Sequence, residues 1–282
     1  MNNLPQPIDL SQPLHNTTPR QNYTNKEEKQ SFNLNEWHIN FKKALQKQEE
    51  IARTSIELPE GFINTAALMY EIIDRDIWRL AKGKEVKDRY LGYSSKYKSL
   101  TISLFKDDEV KTICIREATD KEGNPIKWKT YGSKRFIPYR ILDENDPTLF
   151  IGYGIGEFLL LELLELNYMI LQSDSIAFNF ANNPYTPDIK NRYIFALLDN
   201  DESCKKTINH LKEHFKSCKV YPIDFENILD KELPKGYDFR DFCNDVAKEI
   251  RKDSYLANPL EVKEAIIETL ANEIEIITGA RK

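Results

Sequence analysis

Apolar positions recur every three or four residues over 35–53 (NEWHINFKKALQKQEEIAR) and 64–81 (NTAALMYEIIDRDIWRLA), with Leu68, Ile72 and Trp78 on the second stripe. That spacing predicts two helices, each with one apolar face. Beyond Gly83 the period shortens. The runs SLTISLF, VKTICIR and IKWKTY are rich in Ile, Thr and aromatics and are separated by the charged turns KDDE and DKEGNP, which predicts a small antiparallel sheet. From Thr148 strands alternate with helices: strand 148–152, helix 157–166, strands 168–172 and 193–198, helix 203–215 and strand 219–223. The alternation predicts an α/β domain on a mainly parallel sheet flanked by helices. Its first helix, EFLLLELLEL, is apolar nearly all round and belongs inside the core.

The remaining segments set the boundaries. Residues 1–34 are rich in Asn, Gln, Pro and Thr, cannot bury enough surface to offset ordering entropy, and predict a disordered tail. Residues 245–279 predict one or two closing helices. The expected organisation is therefore a tail (1–34), N-terminal helices (35–83), a small basic α+β subdomain (84–145), an α/β domain (146–245) and C-terminal helices (246–282).

Composition narrows the function classes. Lys and Arg total 40 against 45 Asp and Glu, a formal charge of -5, so a nucleic-acid site must be a local patch and not a property of the whole field. No apolar run approaches a membrane span, and Met1–Asn16 lacks a signal-peptide pattern, so the expected location is cytoplasmic with no membrane partner. Cys114, Cys204, Cys218 and Cys243 form no CxxC pair, which argues for reduced thiols over a disulfide framework or a zinc ribbon.

The run YIFALLDNDE stops at Asp199, Asn200, Asp201 and Glu202. On an extended strand Asp199 and Asp201 share a face at its carboxyl end, where open α/β sheets bind ligands and where Mg²⁺ finds the oxygen donors it prefers. An acidic helix N-terminus accounts for the same residues. Upstream, IGYGIGE places Gly152, Gly154 and Gly156 between a strand and a helix. Their spacing is not GxGxxG, and they point to a tight turn, near a phosphate if a ligand binds there.

Taken together, IGYGIGE, YIFALLDNDESCKKTINHL and LPKGYDFRDF resemble the three successive motifs of TOPRIM domains, the metal-binding α/β fold of bacterial-type primases, topoisomerases and some nucleases. Upstream, KSLTISLFKDDEVKTICIREATDKEGNPIKWKTYGS is similar to the basic subdomain that precedes TOPRIM in primases encoded by phages and plasmids. The likeness covers roughly residues 85–245. It implies that Asp199 and Asp201 are catalytic and hold Mg²⁺ or Mn²⁺, with Asp238 and Asp241 as further metal ligands. Arg116 and Lys127 or Lys129 would then hold template or nucleotide phosphates. One position departs: the first-motif Glu is Tyr153 here, which cannot supply a carboxylate, so Glu157 at the helix start is the candidate replacement.

Residues 127–140, KWKTYGSKRFIPYR, hold five cations and no acid with Trp128, Tyr131, Phe136 and Tyr139 interleaved. Lys127, Lys129, Lys134, Arg135 and Arg140 suit a phosphate backbone and Trp128 suits an unpaired base. A solvated hairpin with its aromatics in a core explains the composition equally. His210, His214 and Cys218, spaced by four, form a conceivable metal face but lie off the apolar stripe of their helix and are expected in solvent. The implied function is primer synthesis by metal-dependent nucleotidyl transfer on single-stranded DNA, using nucleoside triphosphates and a replicative helicase supplied in trans. A catalytically silent nucleic-acid-binding module and a TOPRIM nuclease are the alternatives.

Overall fold

The computed structural model describes residues 33–116, 128–198 and 202–279. Most of the expected tail, together with Lys127, Asp199 and Asp201, lies outside the described residues. Helix α1 (Leu34–Thr54) starts where the Asn33 side chain accepts from the Glu36 N–H, and Asn64 caps α2 (Thr65–Ile72) in the same way. The single helix expected over 64–81 is in fact divided. Ile73 turns extended, and Asp74 caps a new short helix, α3 (Arg75–Trp78), because an Asp side chain competes for backbone N–H groups and favours a fresh start over continuation. Helix α4 (Gly83–Tyr90) and strand β1 (Leu91–Ser94) follow in a stretch whose charge obscured its periodicity.

Strands β2 (Ser99–Lys106), β3 (Glu109–Ile115) and β4 (Lys129–Gly132) complete a four-stranded antiparallel sheet of order β1-β2-β3-β4. Alternation divides its faces. Ile113 and Ile115 pack on Leu34, Trp37 and Phe41 of α1, while Leu100, Ile102, Leu104 and Cys114 enter the main core.

The second sheet runs β5-β7-β6-β8-β9. Its strands are β5 (Tyr139–Arg140), β6 (Thr148–Tyr153), β7 (Tyr168–Leu171), β8 (Tyr193–Leu197) and β9 (Lys219–Pro222). All pairs are parallel except β5 with β7, so the architecture is mixed α/β with a largely parallel sheet between helices. Phe150, Phe195 and Leu197 face α5 (Gly154–Leu164) in the main core. Leu149, Ile151, Ile194 and Ala196 face the other way, toward α6 (Asp174–Ala177) and α7 (Glu202–His214). Helix α5 is buried from Ile155 to Leu164, as its all-round apolar sequence requires. Helices α8 (Phe225–Leu229), α9 (Phe239–Arg251) and α10 (Pro259–Thr278) follow, so the boundary expected at 245/246 falls inside α9.

Two charged clusters sit within this packing. Glu162, 1% exposed, accepts from the hydroxyls of Tyr90 (3.0 Å) and Tyr168 (2.6 Å) and from Arg140 Nη1 (2.7 Å). Arg140, expected on a phosphate-binding strip, is instead the partner of this buried carboxylate, since a charge out of water must be paired. Asp76, fully buried, receives Arg79, Arg251 and the Ala257 N–H, fastening α3 to α9 and to the start of α10.

Candidate nucleotide and metal cleft

Strands β6 and β8 are parallel neighbours, with Gly152 beside Leu197. Helix α5 leads from β6 to β7 on one side, and α7 leads from β8 to β9 on the other. Crossovers diverging from adjacent strands leave a crevice at their carboxyl ends, the usual ligand position in such sheets. Asp199 and Asp201, outside the described residues, follow Leu197, the last residue of β8, by two and four positions in the sequence.

The head of α5 is shaped by its glycines. Glu157, 3% exposed, reaches back to accept the Tyr153 N–H. A Cβ at Gly152 would stand 2.7 Å from Glu157 Oε2, so the close approach of that carboxylate requires glycine. Gly154 has φ 83°, and a Cβ on it would meet nothing within 4 Å, which makes it a left-handed residue facing open space. The turn thus begins within α5 three residues before the helix start expected at 157.

The phenol of Tyr153 points away from this turn: its hydroxyl lies 2.6 Å from Thr207 Oγ1 on α7. Opposite, Asp238 and Asp241 form a reciprocal capping box at the start of α9. Asp238 accepts the Asp241 N–H at 2.9 Å, and Asp241 accepts the Asp238 N–H at 3.4 Å. Arg240 donates to Asp238 Oδ2 at 3.2 Å. Burial pushes the Asp238 carboxyl above its ordinary range, with Arg240 acting against the shift. Beneath them the Cys243 thiol is fully buried and pushed up by burial, then by the charges of Glu157 and Asp238, which leaves it inert.

These groups border a cleft of about 430 Å³ whose walls include Trp128, Thr130, Gly154, Glu157, Asp238 and Arg240. It draws on β4, the head of α5 and the head of α9. Trp128 is half-buried and also packs against the main core. Lys129 lies on the opposite face of β4, where its Nζ donates to the Tyr97 hydroxyl at 3.2 Å. Arg116 Nη1 stands 3.1 Å from Glu71 Oε2 but out of line for a hydrogen bond. Lys134 and Arg135 are exposed, while Phe136 is buried against Tyr185. The basic strip is therefore divided between two sheets and two faces.

His210 and His214 lie tilted against Phe178 and Phe180, and Cys218 donates to the Ile189 carbonyl. Among the described residues, no three His, Cys, Asp or Glu side chains converge as a metal site, and no helix is long and apolar enough to cross a membrane. Sequence reasoning overlooked Arg240 as a cleft residue although it stands between Asp238 and Asp241. Gln172, which also lines the cleft, gave no signal at all.

No protein-family model matches the chain, and no curated protein matches it. Among solved structures it is similar to the primase fragment of the bacteriophage T7 primase-helicase protein, at 17% identity and a TM-score of 0.40, over 57% of this chain and 64% of that one. It is also similar, at 18% identity and a TM-score of 0.37, to a chain in the bacteriophage T7 lagging-strand DNA polymerase interacting with primase domains of two gp4 subunits bound to an RNA/DNA hybrid and dTTP. There the match covers 50% of this chain and 74% of that one.

Proposed function

We propose that the chain is a primase-like TOPRIM protein of DNA replication that joins nucleotides on a single-stranded template. The observation that supports this reading is the cleft itself. An open left-handed glycine, a half-buried carboxylate with a raised pKa and an aromatic side chain border one cleft beyond the carboxyl end of β6.

The donor chemistry fits Mg²⁺ or Mn²⁺ in part. Asp238 is an oxygen donor that desolvation makes costly to ionise alone, and a cation relieves that cost. Asp199 and Asp201 would complete the set, with Asp241, whose cap hydrogen bond is the longer of the pair, as a further ligand. A bound divalent ion would supply charge neutralisation at the phosphates.

The chain's own groups would do the rest. Trp128 would stack on a base, Arg240 would swing from Asp238 to a phosphate, and the amides at Gly154 would face the same anion. In the reaction a 3′-hydroxyl oxygen bonds to the α-phosphorus of a nucleoside triphosphate, the bond to pyrophosphate breaks, and the hydroxyl proton leaves to a base.

A second reading, a binding module without turnover, is favoured by two contacts. Tyr153 is tied to Thr207, and Glu157 is turned back onto the Tyr153 N–H, so neither stands ready as that base. Primer synthesis on single-stranded DNA with labelled nucleotides and Mg²⁺ or Mn²⁺ tests both. Extended products lost in Asp199→Asn with Asp201→Asn support the first. Metal-dependent nucleotide binding without products supports the second.

A further inference from the structure

On the side of β7 the cleft is bounded by Gln172. Leu171, the residue before it, pairs with Tyr153 across β7 and β6, so Gln172 follows at the level of the turn at Gly154. Its amide is not free to choose an orientation. Nε2 lies 2.7 Å from the Phe136 carbonyl oxygen. A carbonyl only accepts, so the amide must present its nitrogen there and Oε1 elsewhere. The anchor is itself fixed: Phe136 is buried, packs edge-on against Tyr185, and its N–H donates to the Ser133 carbonyl at 3.2 Å. Gln172 thus brings to the cleft wall a neutral acceptor of set direction. The other polar groups of the wall differ in kind. Thr130 carries a hydroxyl, 3.9 Å from Cys114 Sγ, that rotates to donate or accept and so discriminates little. Glu157 and Asp238 already receive the Tyr153 and Asp241 N–H groups, and Arg240 can only donate.

We propose that Gln172 is a specificity-determining residue of this cleft: through Oε1 it selects a nucleotide that offers a hydrogen-bond donor at that wall, and it discriminates against the analogue lacking the donor. The assignment rests on the nucleotide reading of the cleft given above. Trp128, on the same cleft, would hold a base by its face, and stacking tolerates every base, so discrimination has to come from a base edge or a sugar group. Two nucleotide groups carry the donor, an exocyclic amino group of the base and the ribose 2′-hydroxyl. An acceptor left facing a nucleotide without either loses one hydrogen bond, roughly three- to tenfold in affinity. Gln172 has no part in making or breaking bonds.

The test is displacement of a γ-labelled fluorescent ATP, with Mg²⁺, by ATP, by 2′-deoxyATP and by purine riboside triphosphate, which lacks the 6-amino group. The full chain and two variants are compared. Wild type should prefer ATP over one analogue by roughly three- to tenfold, and the analogue that is disfavoured names the donor: 2′-deoxyATP the sugar, purine riboside triphosphate the base. Gln172→Met keeps the length of the side chain without the amide and should abolish that ratio, with Tm lowered only by the lost tie to Phe136. Gln172→Glu keeps an acceptor oxygen and adds a charge, so it should weaken all three triphosphates and retain the preference. Equal affinities in wild type, or a ratio that survives in Gln172→Met, overturn the proposal and leave the cleft reading standing. A ratio lost in both variants overturns it as well, because the tie to Phe136 and not the oxygen then sets the preference. Wild-type protein that takes up no labelled ATP sinks the cleft reading, and this assignment with it.

Discussion

The Tyr153 hydroxyl lies 2.6 Å from Thr207 Oγ1, joining the last residue of β6 to the middle of α7. The residue that stands where the resembled family carries an acid is thus a structural tie between β6 and α7. Tyr153→Phe would leave the fully buried Thr207 hydroxyl without this partner, at a cost of about 1–2 kcal/mol. Thermal denaturation should show a lower Tm. Nucleotide affinity should be unchanged; a large loss of affinity would place the phenol in the ligand site instead.

Asp238 has two candidate roles that one substitution separates. Asn caps helices about as well as Asp, so Asp238→Asn should keep α9 and the Tm, while removing a charge that burial disfavours. If Asp238 is a metal ligand, the increase in Tm on adding Mg²⁺ should shrink in this variant. An unchanged metal response would leave it a cap alone.

Gly152→Ala would drive a Cβ to 2.7 Å from Glu157 Oε2 and 3.2 Å from its Cβ. Overpacking at a buried site of this kind costs about 1–3 kcal/mol. Glu157→Ala in the same chain vacates the space, so the double variant should lose less than the sum of the two single changes. Additive losses by chemical denaturation would refute the contact.

His38 sets an acid limit. Burial, then Lys42, holds its imidazole below the ordinary value, and Nδ1 lies 2.8 Å from Ser103 Oγ. A base depressed in the folded state favours folding above its unfolded pKa of about 6.5 and loses that contribution as pH falls. His214, also depressed by burial, acts in the same direction. Melting temperatures from pH 7.5 to 5.0 should decline, and less steeply in His38→Gln; parallel curves would remove His38 from the account.

Replacing Glu162 by Gln would cost about 2–3 kcal/mol, because Arg140 loses a charge-assisted partner within the packed interior. The effect is moderated by the guanidinium side chain being 36% exposed, so water takes over part of its solvation. Equilibrium unfolding in urea checks the magnitude.

The periodic segments were readable because side-chain alternation and helical stripes are local properties. The parallel strands from Thr148 onward and the all-round apolar α5 follow directly from them. The break at Ile73–Asp74 was hidden because a capping aspartate inside an apolar stripe looks like one polar residue of a continuing helix. Arg140 was grouped with the phosphate-binding cations because its neighbours in sequence are cations, and only the tertiary placement of Glu162 shows what it pairs with. The cleft was legible as motifs but not as a volume. Trp128, Gly154 and Asp238 are far apart in sequence, and only the fold shows that they border one space while Lys129, adjacent to Trp128, does not.

The main core runs without interruption from Leu100 and Ile102 of the antiparallel sheet through Leu159 and Leu160 of α5 to Phe195 of the parallel sheet and Val262 of α10. A chain cut between residues 145 and 146 would therefore strip apolar surface from both fragments, and would part Tyr90 and Arg140 from Glu162. Neither piece should fold as an independent unit, but the two expressed together should reassemble, as halves of one cooperative interior and not as separable modules.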